Sequence, residues 1–87
     1  MNSYSLSGRV AVVTGGRRGV GKAIALALAG AGADIALCDR TVDDGQLEAT
    51  ADEARKLGRR SLAVKADITS KAEVDNFVQK VADELGA

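Results

Sequence analysis

Residues 10–22 read Val-Ala-Val-Val-Thr-Gly-Gly-Arg-Arg-Gly-Val-Gly-Lys, an apolar run that stops at a glycine-rich turn and then reopens into a second apolar stretch. The continuous run over 10–13 has the length and composition of a short strand buried on both faces of a parallel sheet. Downstream of the turn, residues 19–31 carry Ala23, Ile24, Ala27, Leu28 and Ala31 at helical spacing, with Gly30 and Gly32 as stop signals. A strand that turns through glycines directly into a helix is suited to an anion. Glycine permits positive φ and close backbone approach, while the unpaired N–H groups and the positive end of the helix dipole face whatever sits above the turn. Gly15, Arg17, Arg18, Gly19, Val20 and Gly21 are therefore the first candidate phosphate-binding positions.

The same alternation continues to the end of the sequence. Residues 35–38, between Asp34 and Asp39, make a second short apolar run. A helix is expected over 44–57, with Leu47, Ala51, Ala54 and Leu57 on one face, Thr41 or Asp43 as cap, and Gly58 as stop. Residues 61–66 hold Leu62 and Val64 at period two, which suits a strand nearer a sheet edge. Ser70-Lys71-Ala72-Glu73 fits a capping box, and Val74, Phe77, Val78, Val81 and Leu85 continue one apolar face up to Gly86. The order βαβαβα, with no proline and no internal repeat, implies an α/β fold. Right-handed crossovers turn it into a three-layer parallel-sheet, Rossmann-like half, an incomplete doubly wound fold in which residues 1–87 form one nucleotide-binding segment. In a complete fold of this kind the first strand is central and pairs with a fourth strand beyond these residues; within residues 1–87 that edge is bare, a route to dimerisation or aggregation, and a homo-oligomer is expected.

Composition narrows the chemistry. Twelve Lys and Arg balance twelve Asp and Glu, so no global field attracts nucleic acid or an anionic membrane, and any anion must be held locally. One Phe, one Tyr and no Trp leave little for stacking on single-stranded nucleic acid. The absence of His and the single Cys38 exclude, within these 87 residues, an internal disulfide, a Cys/His zinc site and a Ser-His or Cys-His catalytic pair. Cys38, inside a strand, reads as a small buried hydrophobe. Residues 1–8 lack the apolar stretch of a signal peptide, and the richest apolar run, 23–29, is too short to span a bilayer, so a cytoplasmic location is expected.

The spacing Thr14-Gly15-x-x-x-Gly19-x-Gly21 resembles the short-chain dehydrogenase/reductase family. The resemblance is reinforced by Val12-Val13 before Thr14, an acidic residue closing the second strand, and Asp67-Ile68-Thr69 after the third. It implies a turn that holds the pyrophosphate of NAD or NADP, Asp67 reaching the adenine amino group, and the backbone of Ile68 shaping the adenine slot. A local alternative for Asp67 is a turn or cap residue. Asp39 lies close to the separation at which an acidic side chain hydrogen-bonds the adenosine ribose in NAD-binding folds, and it repels a 2′-phosphate. Arg40 and Arg18 pull the other way, since in the family basic residues at such positions often accompany NADP. NAD is the favoured cofactor, with NADP as the alternative; Arg40 as a solvated loop charge and Arg18 as a residue folded over the loop remain open.

Gly16-x-x-x-x-Gly21-Lys22 also satisfies most of a nucleoside-triphosphate P-loop, but Ala23 follows where a hydroxyl is needed to hold Mg²⁺. The family resemblance further implies reversible conversion of a small alcohol to a carbonyl, carried out by an Asn-Asn-Ala-Gly stretch, a Ser and a Tyr-x-x-x-Lys pair. None of these occurs in the 87 residues, and Tyr4, which precedes Gly8 rather than a lysine, is not the catalytic acid. The chain by itself is thus expected to bind cofactor without catalysing, as a segment of an oxidoreductase. The alternative is a free-standing nucleotide-binding or assembly module.

Overall fold

Six elements alternate along the chain: β1 (Val10–Thr14), α1 (Gly19–Gly30), β2 (Asp34–Asp39), α2 (Gln46–Lys56), β3 (Ser61–Lys65) and α3 (Lys71–Leu85). They come from a computed structural model that describes residues 6–17 and 19–86. The strands form one parallel sheet in the order β1-β2-β3, with Val10 opposite Asp34 and Ile35 opposite Ser61. Because side chains alternate across a strand, β2 feeds two cores. Ile35 and Leu37 pack with Ala25 and Ala29 of α1 and Leu47, Ala51 and Ala54 of α2. Ala36 and Cys38 pack on the opposite face with Val64, Phe77, Val81 and Leu85. The result is the three-layer α/β arrangement expected from the element order.

Both crossovers advance in the same direction across the sheet, and α1 and α2 share one face as right-handed connections require. Local signals set most boundaries. Gly58 and Gly86 follow α2 and α3 with φ of 84° and 72°, the left-handed stop that side-chain-bearing residues resist. The Ser70 hydroxyl accepts from the Glu73 N–H at 3.3 Å and so caps α3. The reciprocal half of the box is displaced: the Glu73 carboxylate accepts from the N–H of Asp67 at 3.1 Å, while the N–H of Ser70 is taken by the Asp67 carbonyl.

Four expectations are corrected. The buried residues of α1 are Ala25 and Ala29; of the expected stripe, Ala23, Ile24 and Ala27 are exposed, Ala31 lies half-buried past the helix end, and Leu28 packs half-buried against the core. This helix is apolar almost all round, so its pattern carries no phase, and the smallest side chains take the sheet-facing side where the backbone approaches most closely. Neither Thr41 nor Asp43 caps α2; Gly45 occupies the cap position and Asp44 Oδ1 accepts from Gln46 N at 3.0 Å. On α2 the fourth buried position is Thr50 rather than Leu57, because the Thr50 hydroxyl is satisfied by the Gln46 carbonyl at 3.2 Å and Leu57 already lies in the helix-ending turn. Finally, β1 is fully covered on one face only; on the other, Val10 packs half-buried against the second core and the rest stays open. Val13 is buried against α1, whereas Val12 is 55 % exposed, and Val78 of α3 is 59 % exposed beside it. The two border an apolar groove of about 340 Å³ with Phe77, Val81 and Ile68.

Candidate functional site

The carboxyl ends of the three strands are laced together past the last regular residue of each. The N–H of Gly15 donates to the Cys38 carbonyl at 2.8 Å and that of Ala66 to the Asp39 carbonyl at 3.0 Å. These two bonds extend the parallel ladders into the loops, so Gly15, Asp39 and Asp67 stand side by side on one edge. Between them opens a cleft of about 370 Å³ lined by Thr14, Gly15, Asp39, Arg40, Ala66, Asp67, Ile68 and Thr69. Five of the positions singled out from sequence (Gly15, Asp39, Arg40, Asp67 and Ile68) therefore meet in one cleft. Thr14, Ala66 and Thr69 were not singled out, although each sits beside a residue that was.

At one end of the cleft lies the N-terminus of α1, which starts at Gly19 with no acidic residue in its first turn to occupy the free N–H groups. Gly15 and Gly19 take φ of 70° and 62°. Gly21 is required for a different reason: a Cβ there would collide with the carbonyl of Gly15 and lie 3.4 Å from Gly16 Cα. The turn is folded back on the first helical turn so tightly that only hydrogen fits, and of its residues Gly15 lines the cleft. Val20 points outward, 75 % exposed, and its position rather than its side chain belongs to the turn. Arg18 and Tyr4 lie outside the described residues.

Asp39, Arg40 and Asp67 line the cleft, and Arg17 and Asp44 lie beside Asp39. Asp39 Oδ1 accepts from the N–H of Thr41 at 3.0 Å, and its Oδ2 lies 3.7 Å from Arg17 Nε. Arg17 Nη1 donates to Asp44 Oδ2 at 2.6 Å. Asp44 carried no sequence signal, because it lies 27 residues from Arg17. Asp67 receives both described side-chain bonds on Oδ1, from Thr69 N at 2.9 Å and Thr69 Oγ1 at 2.7 Å. The local turn role is thus occupied without consuming Oδ2. The Thr69 bonds hold the Asp67 carboxyl below the usual carboxylate range, and the nearby positive charge of Arg40 adds to this. Cys38, beneath the site, is 1 % exposed; burial pushes its thiol up, with the charge of Asp39 adding to the shift. It is a packing residue.

The rival triphosphate reading meets a geometric obstacle as well as the missing hydroxyl. Lys22 Nζ is bound to Glu53 Oε2 of α2 at 2.8 Å, an anchor between two helices. The cleft runs from Gly15 of the turn, past the Asp39 carboxylate, to an acidic-apolar pair, Asp67 and Ile68.

Comparison with known proteins agrees with this geometry. The family profile described as short chain dehydrogenase matches residues 9–87, nearly the whole chain. The protein belongs to the short-chain dehydrogenase family. The chain is 42 % identical to cyclohexanol dehydrogenase from a Rhodococcus strain over 98 % of its own length and 35 % of that protein's. Among solved structures, L-sorbose reductase from Gluconobacter frateurii, complexed with NADPH and L-sorbose, superposes with a TM-score of 0.88 at 38 % identity. That match covers 99 % of this chain and 32 % of the reductase. Carveol dehydrogenase from Mycobacterium avium, in complex with NAD, gives 0.87 at 28 % identity over 97 % of this chain and 34 % of its own. This short-chain dehydrogenase chain thus spans about a third of the length of the relatives it matches. The cofactors bound in those two structures are NAD and NADPH, respectively, for the carveol dehydrogenase and the L-sorbose reductase. Among the described residues no helix is long and apolar enough to cross a membrane.

Proposed function

We propose that this chain is the cofactor-binding segment of an NAD(P)-dependent oxidoreductase, with NAD preferred. In this reading the pyrophosphate lies over the turn from Gly15 to Gly21, where the first N–H groups of α1 and the helix dipole meet it. The adenosine ribose hydroxyls donate to Asp39, and the adenine lies toward Asp67 and Ile68, flanked by Arg40. The observation that carries the proposal is the convergence of Gly15, Asp39 and Asp67 in one cleft at the carboxyl edge of a parallel sheet, where nucleotides bind in open α/β folds. The fit of the turn supports it: Gly21 leaves room for nothing larger than hydrogen, as a backbone cradle for a phosphate needs.

When bound, the nicotinamide supplies hydride exchange with a carbon, which in a complete protein of this family interconverts a small alcohol and a carbonyl. The residues of this chain bind and orient rather than move protons. Asp39 holds an acceptor oxygen toward the ribose, the N–H groups and dipole of the α1 N-terminus partly offset the pyrophosphate charge, and Ile68 gives the adenine an apolar wall. Asp39 also disfavours a 2′-phosphate, because two anions placed together in a cleft repel. A cytoplasmic setting and assembly into a homo-oligomer complete the proposal.

The test is a parallel titration with NADH and NADPH, followed by nicotinamide fluorescence and by heat, on the wild type, Gly19→Val and Asp39→Ala. Tighter binding of NADH, its loss in Gly19→Val and a narrowed gap to NADPH in Asp39→Ala are the expected results. A folded protein that binds neither dinucleotide would refute the proposal.

A further inference from the structure

Arg17 is the turn residue whose side chain the fold has already committed. Its Nη1 holds Asp44 Oδ2 at 2.6 Å, its Nε lies 3.7 Å from Asp39 Oδ2, and only 19 % of the side chain is exposed. Nε itself is buried without a hydrogen-bond partner, an arrangement that is unfavourable unless something stronger fixes the guanidinium. Asp44 supplies that fixing. Its Oδ1 accepts from Gln46 N at 3.0 Å at the start of α2, so its Oδ2 is presented to Arg17 from a rigid position. Asp39 is equally constrained, since its Oδ1 is taken by Thr41 N and only Oδ2 faces Arg17. Two carboxylates, one closing β2 and one just before α2, thus share one guanidinium at the point where the ribose is read.

We propose that Asp44 is a positioning residue for dinucleotide selectivity: it parks Arg17 against Asp39 and withholds that guanidinium from a 2′-phosphate. The inference rests on the reading of Asp39 as the ribose-binding carboxylate and names the residue that sets its selectivity. A ribose 2′-hydroxyl needs only an acceptor, which Asp39 retains with Arg17 in place. A 2′-phosphate needs a cation, and Arg17 can turn its planar fork fully onto it only by giving up the short, charge-assisted bond of Nη1 to Asp44. Neutralising Asp44 removes the competitor, so the planar fork of Arg17 is released toward the phosphate while Asp39 is left untouched.

Asp44→Asn is the decisive variant, because an amide oxygen still accepts from Gln46 N and preserves the start of α2. Asp44→Ser, also a good capping residue, is the second variant should the amide fold poorly, and thermal unfolding confirms that each is native. The full chain is titrated with NADH and NADPH by nicotinamide fluorescence. The ratio of NADPH to NADH affinity is expected to rise roughly tenfold in Asp44→Asn, the worth of one charge-assisted bond. Adding Arg17→Ala to Asp44→Asn should return the ratio to the wild-type value or below. An unchanged ratio in both folded variants, or a gain that survives Arg17→Ala, overturns the inference while leaving cofactor binding intact. A wild type that binds neither dinucleotide overturns the reading of Asp39 and this inference together.

Discussion

Gly21→Ala adds one methyl group at the tightest point of the turn, and the geometry gives its consequence. The new Cβ would overlap the carbonyl of Gly15 and approach that carbonyl's carbon to 2.9 Å and Gly16 Cα to 3.4 Å. All three neighbours are backbone, so no rotamer relieves the clash and the turn itself must move. Overpacking of this kind costs about 1–3 kcal/mol. For a domain of this size, a cost near 2 kcal/mol lowers Tm by roughly 8–16 °C. Moving the turn also misaligns the N–H groups at the start of α1, and losing one charge-assisted bond to a pyrophosphate, worth about 1.5–3 kcal/mol, weakens NADH binding roughly 10- to 150-fold. Two controls make the comparison internal. Gly16→Ala meets Leu37 Cδ2 at 2.7 Å, the end of a side chain rather than backbone, and should be milder. Gly30→Ala, in the same helix with nothing within 4 Å, should be neutral or stabilising by up to about 1 kcal/mol. Calorimetry and fluorescence titration of the three variants give the ranking. Wild-type Tm and NADH affinity in Gly21→Ala would refute the close approach between turn and helix on which the site rests.

Three further outcomes follow from the same geometry. Arg60→Ala should cost about 1 kcal/mol in urea unfolding, because its side chain ties Asp34 of β2 at 2.9 Å to the Leu85 carbonyl at the end of α3 at 3.1 Å; no loss of stability would show the clasp to be idle. The Asp67 carboxyl, held low chiefly by Thr69, binds protons less readily folded than unfolded, so its stabilisation is present above the unfolded pKa and is lost as pH falls through the lower folded value; Thr69→Val should move its carbon-13 NMR titration midpoint upward, and an unmoved midpoint would contradict the Thr69 bonds. Cys38, whose thiol burial pushes up, should resist a thiol reagent at neutral pH in the native state and react once unfolded in urea; fast native labelling would contradict its place in the second core.

Much of this architecture was readable from short-range patterns. Ser70, Gly58 and Gly86 mark helix boundaries through bonds and φ values that involve only a few consecutive residues, and the structure keeps all three. The glycine turn was legible for the same reason. The failures are equally physical. In α1 nearly every position is apolar, so periodicity does not distinguish the face of Ala25 and Ala29 from that of Ile24. Val12 and Val13 look identical in sequence, yet one is buried under α1 and the other borders an open groove, a difference set by which helices lie over each face of β1.

The candidate site divides along the same line. The order of six elements, the turn able to approach a phosphate and an acidic residue at the end of β2 were determined by the sequence alone, because each depends on backbone conformation and side-chain chemistry within a few residues. Only the tertiary structure decided that Asp39 and Asp67 flank a common cleft, that Lys22 is spent on Glu53, and that Arg17 is bound by Asp44. Those pairings join residues far apart in the chain, and no local pattern encodes them: they exist because parallel pairing of β1, β2 and β3 brings three loop beginnings to one edge and α2 beside α1.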